Sequence, residues 1–260
     1  MKKFSSLLVV LLLMLASFTA GVEYQRGDVD QDGAVNISDV TCLIDYLLSG
    51  SWPDEPVAPP DEHEWVDLGL PSGTLWATCN IGATAPEEYG DYFAWGETEP
   101  KDYYDWSTYK WCNSTDSRLT KYCTNSSYGY NGFTDGKTEL DPEDDAAWFN
   151  WGPSWRMPTW VQLQELDENC SSVWTTLNGV NGRLFTGPNG NTLFLPAAGR
   201  LWGDESLNYV GFSGYYWMRT LRSSTPGSAF YLNFYSGGVA DLIYGRCRGL
   251  TVRAVRVSQN

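Results

Sequence analysis

Apolar and polar positions fall into distinct regimes along the chain. Leu7 to Leu15 is an apolar stretch that follows Lys2 and Lys3 and precedes the small residues Thr19, Ala20 and Gly21. This is the build of a secretory signal over residues 1–21, and the stretch is too short to span a bilayer. Further on, Val40, Leu43, Ile44 and Leu47 recur at i, i+3, i+4 and i+7, which predicts a helix with one apolar face. From Trp65 onward, short aromatic and β-branched runs are broken by Gly, Asn, Ser and Pro. That pattern predicts many short strands and long loops with few helices, an α+β class.

Two helices are expected in this second part. Asp141 precedes Pro142, Glu143, Asp144 and Asp145. An N-cap, a Pro at the first helical position and negative charge in the first turn all suit free N–H groups and the helix dipole. The other helix starts at Thr159, with Gln162 three residues later as in a capping box and Val161, Leu163 and Leu166 expected to be buried. Between the apolar helix near the N-terminus and the strand-rich region, residues 51–64 carry Pro53, Pro56, Pro59 and Pro60 among acidic residues and read as a semi-stiff linker. The organisation is therefore a signal at 1–21, a small module at 22–50, the linker, and a large domain at 65–260.

Charge narrows the partners. The chain of 260 residues has a formal net charge of −15, and losing Lys2 and Lys3 with the signal takes it to about −17. Nucleic acid and anionic lipid are excluded as partners on that ground. Six cysteines in an exported chain permit disulfides, and Cys112 with Cys123 or Cys170 with Cys247 are pairings open to it. No CxxC pair or tight metal-ligand spacing is present, which argues against zinc and redox catalysis. The only histidine, His63, falls in the linker, where it is expected to be an exposed residue, so a Ser-His-Asp or Cys-His arrangement inside the domain is excluded.

One short segment carries metal chemistry. Asp28, Asp30, Asp32, Asn36 and Asp39 stand at loop positions 1, 3, 5, 9 and 12 of the EF-hand pattern, with Gly33 at position 6 and the Ala34 carbonyl at position 7. A hard cation needs several oxygens from one short segment, so Ca2+ is the expected ion. The loop resembles half of a type I dockerin repeat, which implies a cohesin-like partner. The position of a second half-repeat is taken by Trp52 and the linker. A single loop and helix cannot bury its own core, so its apolar face is expected to dock in cis on the large domain or on another chain.

The large domain carries a wider likeness. The segments Val66–Asn80, Glu88–Glu97, Trp155–Thr159, Phe194–Gly199 and Gly249–Arg253 closely resemble the Fibrobacter succinogenes major paralogous domain, found on exported proteins of Fibrobacter and Bacteroides relatives. The resemblance implies a C-type-lectin-like fold related to the formylglycine-generating sulfatase-modifying group, and a secreted or cell-surface binding role. It does not imply their oxidase chemistry, because only Cys247 stands in the C-terminal region, with Trp217 and Met218 nearby and no reactive cysteine pair. The Glu-Pro-Asn and Gln-Pro-Asp triplets of calcium-dependent sugar-binding lectins are also missing. By analogy with C-type-lectin folds diversified by retroelements, Tyr215 to Arg248 would be the ligand-binding region.

Aromatic residues make up 15% of the chain, and rings stack on sugar faces and anchor protein interfaces. Trp217, Phe230 and Phe234 are assigned to the core. Tyr215, Tyr216, Tyr235, Tyr244, Arg246 and Arg248 are the candidate ligand-binding residues. The expected function is a non-catalytic, secreted or cell-surface protein, extracellular or periplasmic, that engages a polysaccharide or protein ligand. The rival is an accessory component of a polysaccharide-degrading assembly, recruited through the dockerin-like module and hydrolytic through a carboxylate pair such as Glu97 and Glu99.

Overall fold

A computed structural model describes Val40, Leu43, Ile44 and residues 63–203 and 206–257. The chain divides into two units, Met1–Asp61 and Glu62–Asn260. In the first unit, Val40, Leu43 and Ile44 are helical, as their spacing predicts. The signal, the calcium loop with Asp28, Asp30, Asp32, Ala34, Asn36 and Asp39, and Cys42 lie outside the described residues.

The second unit is built mainly of antiparallel sheet with two short α-helices. Its first sheet joins both ends of the unit. β1 (Trp65–Asp67) pairs with β2 (Thr74–Ala77), and β2 pairs with the last strand, β11 (Val255–Val257), so that Val66, Trp76 and Val255 lie side by side. A second sheet runs β3 (Ser171–Leu177), β4 (Val180–Thr186) and β5 (Thr192–Pro196). Leu177 pairs with Val180 across Asn178-Gly179, and both turn residues have positive φ, 48° and 84°. This is the two-residue turn whose twist matches that of its flanking strands.

β6 (Arg200–Trp202) and β7 (Ser206–Asn208) form a small hairpin. The largest sheet has the order β10-β9-β8, from β8 (Ser213–Leu221), β9 (Ser228–Tyr235) and β10 (Gly238–Gly245). Two of its strands, β8 and β9, are buried on both faces. Tyr215, Trp217, Ala229 and Tyr231 enter one core cluster, whereas Tyr216, Met218, Leu232 and Phe234 enter another. Alternate residues of a strand point to opposite faces, so burial on both requires the unbroken apolar run seen at Tyr215–Met218.

Tryptophans fill the interior, and the polar edges of Trp95 and Trp217 are tied down. Trp95 Nε1 donates to the Met218 carbonyl at 2.7 Å, and Trp217 Nε1 donates to the Phe93 carbonyl at 2.8 Å. Trp217 and Phe234 are core as expected, whereas Phe230 is half-buried and lies 5.9 Å from Trp160.

The two helices follow the sequence signals with two corrections. α1 (Ala146–Trp151) is capped by Asp145, not Asp141. Asp141 precedes a 3-10 turn, Pro142–Asp144, makes no side-chain cap and instead pairs with Lys121 and Lys137. α2 (Trp160–Asn169) has the full Thr159–Gln162 capping box, with Leu163 and Leu166 buried. Val161 is 66% exposed, because it stands off the i, i+3 stripe that Leu163 and Leu166 define.

The cysteine and histidine expectations also change. Cys79, Cys112, Cys123, Cys170 and Cys247 are all free, so neither Cys112–Cys123 nor Cys170–Cys247 forms a bridge. Cys112 Sγ lies 3.2 Å from the Trp106 carbonyl and Cys123 Sγ 3.2 Å from that of Asn125. Burial pushes the thiol of Cys170 up to about 11 and that of Cys247 up to about 12. Little thiolate forms at neutral pH, which makes them inert. His63 is half-buried and stacks on Trp151 with ring centroids 3.9 Å apart. It is a packing residue at the start of the domain, where the sequence suggested an exposed linker.

Candidate functional site

The six candidate ligand residues separate into three environments. Tyr216 and Arg246 are interior. The Tyr216 hydroxyl donates to the Pro196 carbonyl at 2.7 Å, and its ring stacks on Phe234 at 5.6 Å. Arg246 is fully buried; Nε donates to the Tyr109 hydroxyl, Nη1 to the carbonyls of Tyr122 and Pro226, and Nη2 to that of Lys121. Neither side chain is placed to meet a ligand. Tyr235 is 50% exposed at the end of β9, and its carbonyl accepts from Arg183 Nη1 at 3.0 Å.

Tyr215, Tyr244 and Arg248 come together with four residues outside the candidate six: Arg200, Trp202, Tyr209 and Tyr231. The hairpin β6–β7 brings Arg200 and Trp202 to this place. Leu201 bridges Gly249, and Gly199 bridges Gly214 on β8. Gly199 has φ of 66°, and a Cβ there would fall 2.3 Å from the Asn208 carbonyl oxygen, so this turn into the hairpin needs glycine. Arg200 and Trp202 are two apart on a strand and share one face.

The result is an alternating stack of rings and cations. The Arg248 guanidinium carbon lies 3.6 Å from the Trp202 ring centroid and 5.5 Å from that of Tyr244. On the Arg200 side, the guanidinium carbon is 4.7 Å from Tyr244, 5.1 Å from Tyr209 and 5.2 Å from Tyr215. Tyr231 stacks on Tyr215 with centroids 5.7 Å apart, fixing the floor. Each such cation–ring contact contributes about 0.5–2 kcal/mol, more as water is excluded. Trp202 and Tyr209 are 52% and 53% exposed, which leaves ring surface open to solvent. Burial raises the Tyr231 hydroxyl to about 12, and burial likewise raises that of Tyr244 while both guanidiniums pull it back. Both phenols stay neutral hydrogen-bonding groups at physiological pH.

No family model matches this chain, nor does any curated protein or solved structure.

Among the described residues, two buried carboxylates, Glu97 and Asp144, are each paired with a lysine. Glu97 is buried; Oε1 accepts from Lys101 Nζ at 2.9 Å and from the Lys110 backbone N–H at 2.8 Å, and Oε2 pairs with Lys101 at 2.8 Å. Glu99 is exposed. The two therefore occupy different environments, one tied to a lysine and the other in solvent. Asp144, also buried, accepts from Lys121 Nζ and from the Tyr122 hydroxyl, each at 2.6 Å. Among the described residues no three His, Cys, Asp or Glu side chains gather as a metal-holding group, and no helix is long and apolar enough to cross a membrane.

Proposed function

We propose that this is an exported, non-catalytic binding protein whose large domain, C-type-lectin-like and of the major paralogous kind, engages a polysaccharide at the Trp202–Tyr209 face, with residues 28–39 as a calcium module. One observation carries the reading: half-exposed rings of Trp202 and Tyr209 stand on either side of a rigid stack of Arg248, Tyr244 and Arg200. Flat rings fixed by packing beneath them present area to the apolar face of a sugar at little entropic cost. Tyr215 and Tyr231, buried below, set the positions of the cations and leave the outer rings to touch the ligand.

Replacing Trp202 by Ala removes a ring that covers Arg248 but is no part of the core. The expected outcome is at least a tenfold loss of affinity for whichever polysaccharide binds in an array screen, with the melting temperature held within a few degrees. Tyr209→Ala should act in the same direction. Binding that survives both changes would place the ligand elsewhere.

The calcium module is tested separately. Calorimetry on the mature chain should register Ca2+ binding that weakens by more than tenfold in Asp28→Ala, because position 1 supplies a ligand to the ion. Heat unchanged by that substitution would remove the module from the account.

A further inference from the structure

This inference rests on the binding face just described and names what it takes. Arg200 and Arg248 stand apart from the other interior arginines of the domain. Arg246 spends four hydrogen bonds on one hydroxyl and three carbonyls. Arg253, fully buried with its pKa drawn down to about 10 by desolvation, donates to Asn80 Oδ1 and to the carbonyls of Ala77 and Thr78. The fold thus supplies acceptors to the guanidiniums that it uses as internal pins. At the stack it supplies rings alone. Among the described residues, neither Arg200 nor Arg248 donates a side-chain hydrogen bond or joins an ion pair; the pairs belong to Lys101, Lys110, Lys121, Lys137 and Arg219. Arg200 Nε and Arg248 Nη1 are enclosed N–H donors with no acceptor, as is Arg253 Nη2; what sets the two apart from Arg246 and Arg253 is that no other nitrogen of either guanidinium is hydrogen-bonded among the described residues.

Enclosing a donor without a partner costs on the order of 1–3 kcal/mol. Rings hold a guanidinium plane in place, but they do not satisfy its N–H groups, whose fork matches the two oxygens of a carboxylate. We propose that the stack is a recognition site for carboxylate-bearing sugars, that is, a uronic-acid polysaccharide, with Arg200 and Arg248 taking carboxylates and Trp202 and Tyr209 taking ring faces. The acidity of the chain as a whole does not oppose this. Charges more than about 8 Å away are largely screened at physiological ionic strength, and within the stack itself the charged side chains are the two cations Arg200 and Arg248. A glycan is favoured over an acidic protein segment because the cations lie between flat, half-exposed rings, the surface that pyranose faces use.

The test compares two oligomers on the full mature chain: a hexamer of β-1,4-linked glucuronic acid and cellohexaose, which differ only in the oxidation of C6. The uronate is expected to bind at least tenfold more tightly, with an affinity that falls as salt rises. Arg248→Gln and Arg200→Gln should each abolish that preference, and Arg248→Lys should restore only part of it, since an ammonium keeps the charge and loses the fork. Arg248→Gln is the primary variant, because its closest ring, Trp202, is at the surface, and an unchanged melting temperature separates lost recognition from lost folding. Equal binding of the two oligomers, or no binding of the uronate at millimolar concentration, overturns the proposal. So does uronate binding that both Gln variants retain, or binding of poly-glutamate with the same dependence on both arginines. Neutral sugar bound through Trp202 with the arginines indifferent would sink the acid specificity and leave the binding face standing.

Discussion

Arg246→Lys is expected to destabilise the large domain by about 4 kcal/mol, and Arg246→Ala by more, although a charge flanked by Gly245 and Cys247 reads from sequence as a surface group. The guanidinium is fully buried and stacks against Trp95 at 4.9 Å, Tyr109 at 5.2 Å and Tyr122 at 5.7 Å. Its hydrogen bonds tie the segment around Tyr109–Tyr122 to Pro226, just before β9, at 2.9 Å, while its own backbone N–H donates to the Gly227 carbonyl at 3.1 Å. A lysine offers one ammonium at the end of a flexible stem and reaches only part of this acceptor set. The carbonyls of Lys121, Tyr122 and Pro226 then lose their donors inside the core, at about 1–3 kcal/mol each where water cannot enter. Against a typical total of about 5–15 kcal/mol, this is a large share. Urea unfolding of the mature chain measures it. A midpoint shifted by less than the equivalent of 1 kcal/mol would mean that the buried cation is dispensable.

What sequence revealed and what it hid both follow from the range of the interactions. The Thr159–Gln162 capping box and the Asn178-Gly179 turn are settled by neighbours within a few residues, so their signals are local. The start of α1 was misplaced because Asp141 and Asp145 stand at opposite ends of one acidic run and either residue type can cap a helix. The choice between them is made by Lys121 and Lys137, which claim Asp141, and by the distant Met157 N–H, which claims Asp145. Val161 was within reach of a stricter count, since it falls two residues before Leu163 and off the stripe that continues to Leu166. The site was half legible. Tyr215, Tyr244 and Arg248 are in it, but alternation along β8 gave no way to tell Tyr215 from Tyr216, because both faces of that strand meet a core. Arg200 and Trp202 carried a signal, a cation and a large ring two apart on one strand. What joins them to Arg248 is the hairpin's approach to Gly249, a contact between segments far apart in sequence that no local pattern encodes.

Asp145→Ala should cost about 3–4 kcal/mol, and Asp145→Asn distinctly less. The side chain is fully buried, and Oδ1 accepts from the backbone N–H groups of Ala147 at 2.9 Å, Trp148 at 3.3 Å and Met157 at 3.0 Å, while Oδ2 also takes Met157 at 3.0 Å. One carboxylate therefore caps α1 and fastens the Trp155–Pro158 segment to it. Alanine leaves three N–H groups unmet in the core; asparagine keeps Oδ1 and sets an amide donor against Met157 alone. Burial lifts this carboxyl above the ordinary range, against the pull of those donors. A folded-state pKa above the unfolded value means that the titrating contribution of Asp145 is fully present below the unfolded pKa of about 3.9 and declines as pH rises through the folded value. Stability of the wild type minus that of Asp145→Asn should therefore shrink from pH 3 toward neutrality. A difference that instead grows with pH would show that the N–H donors, rather than burial, dominate the charge state of Asp145.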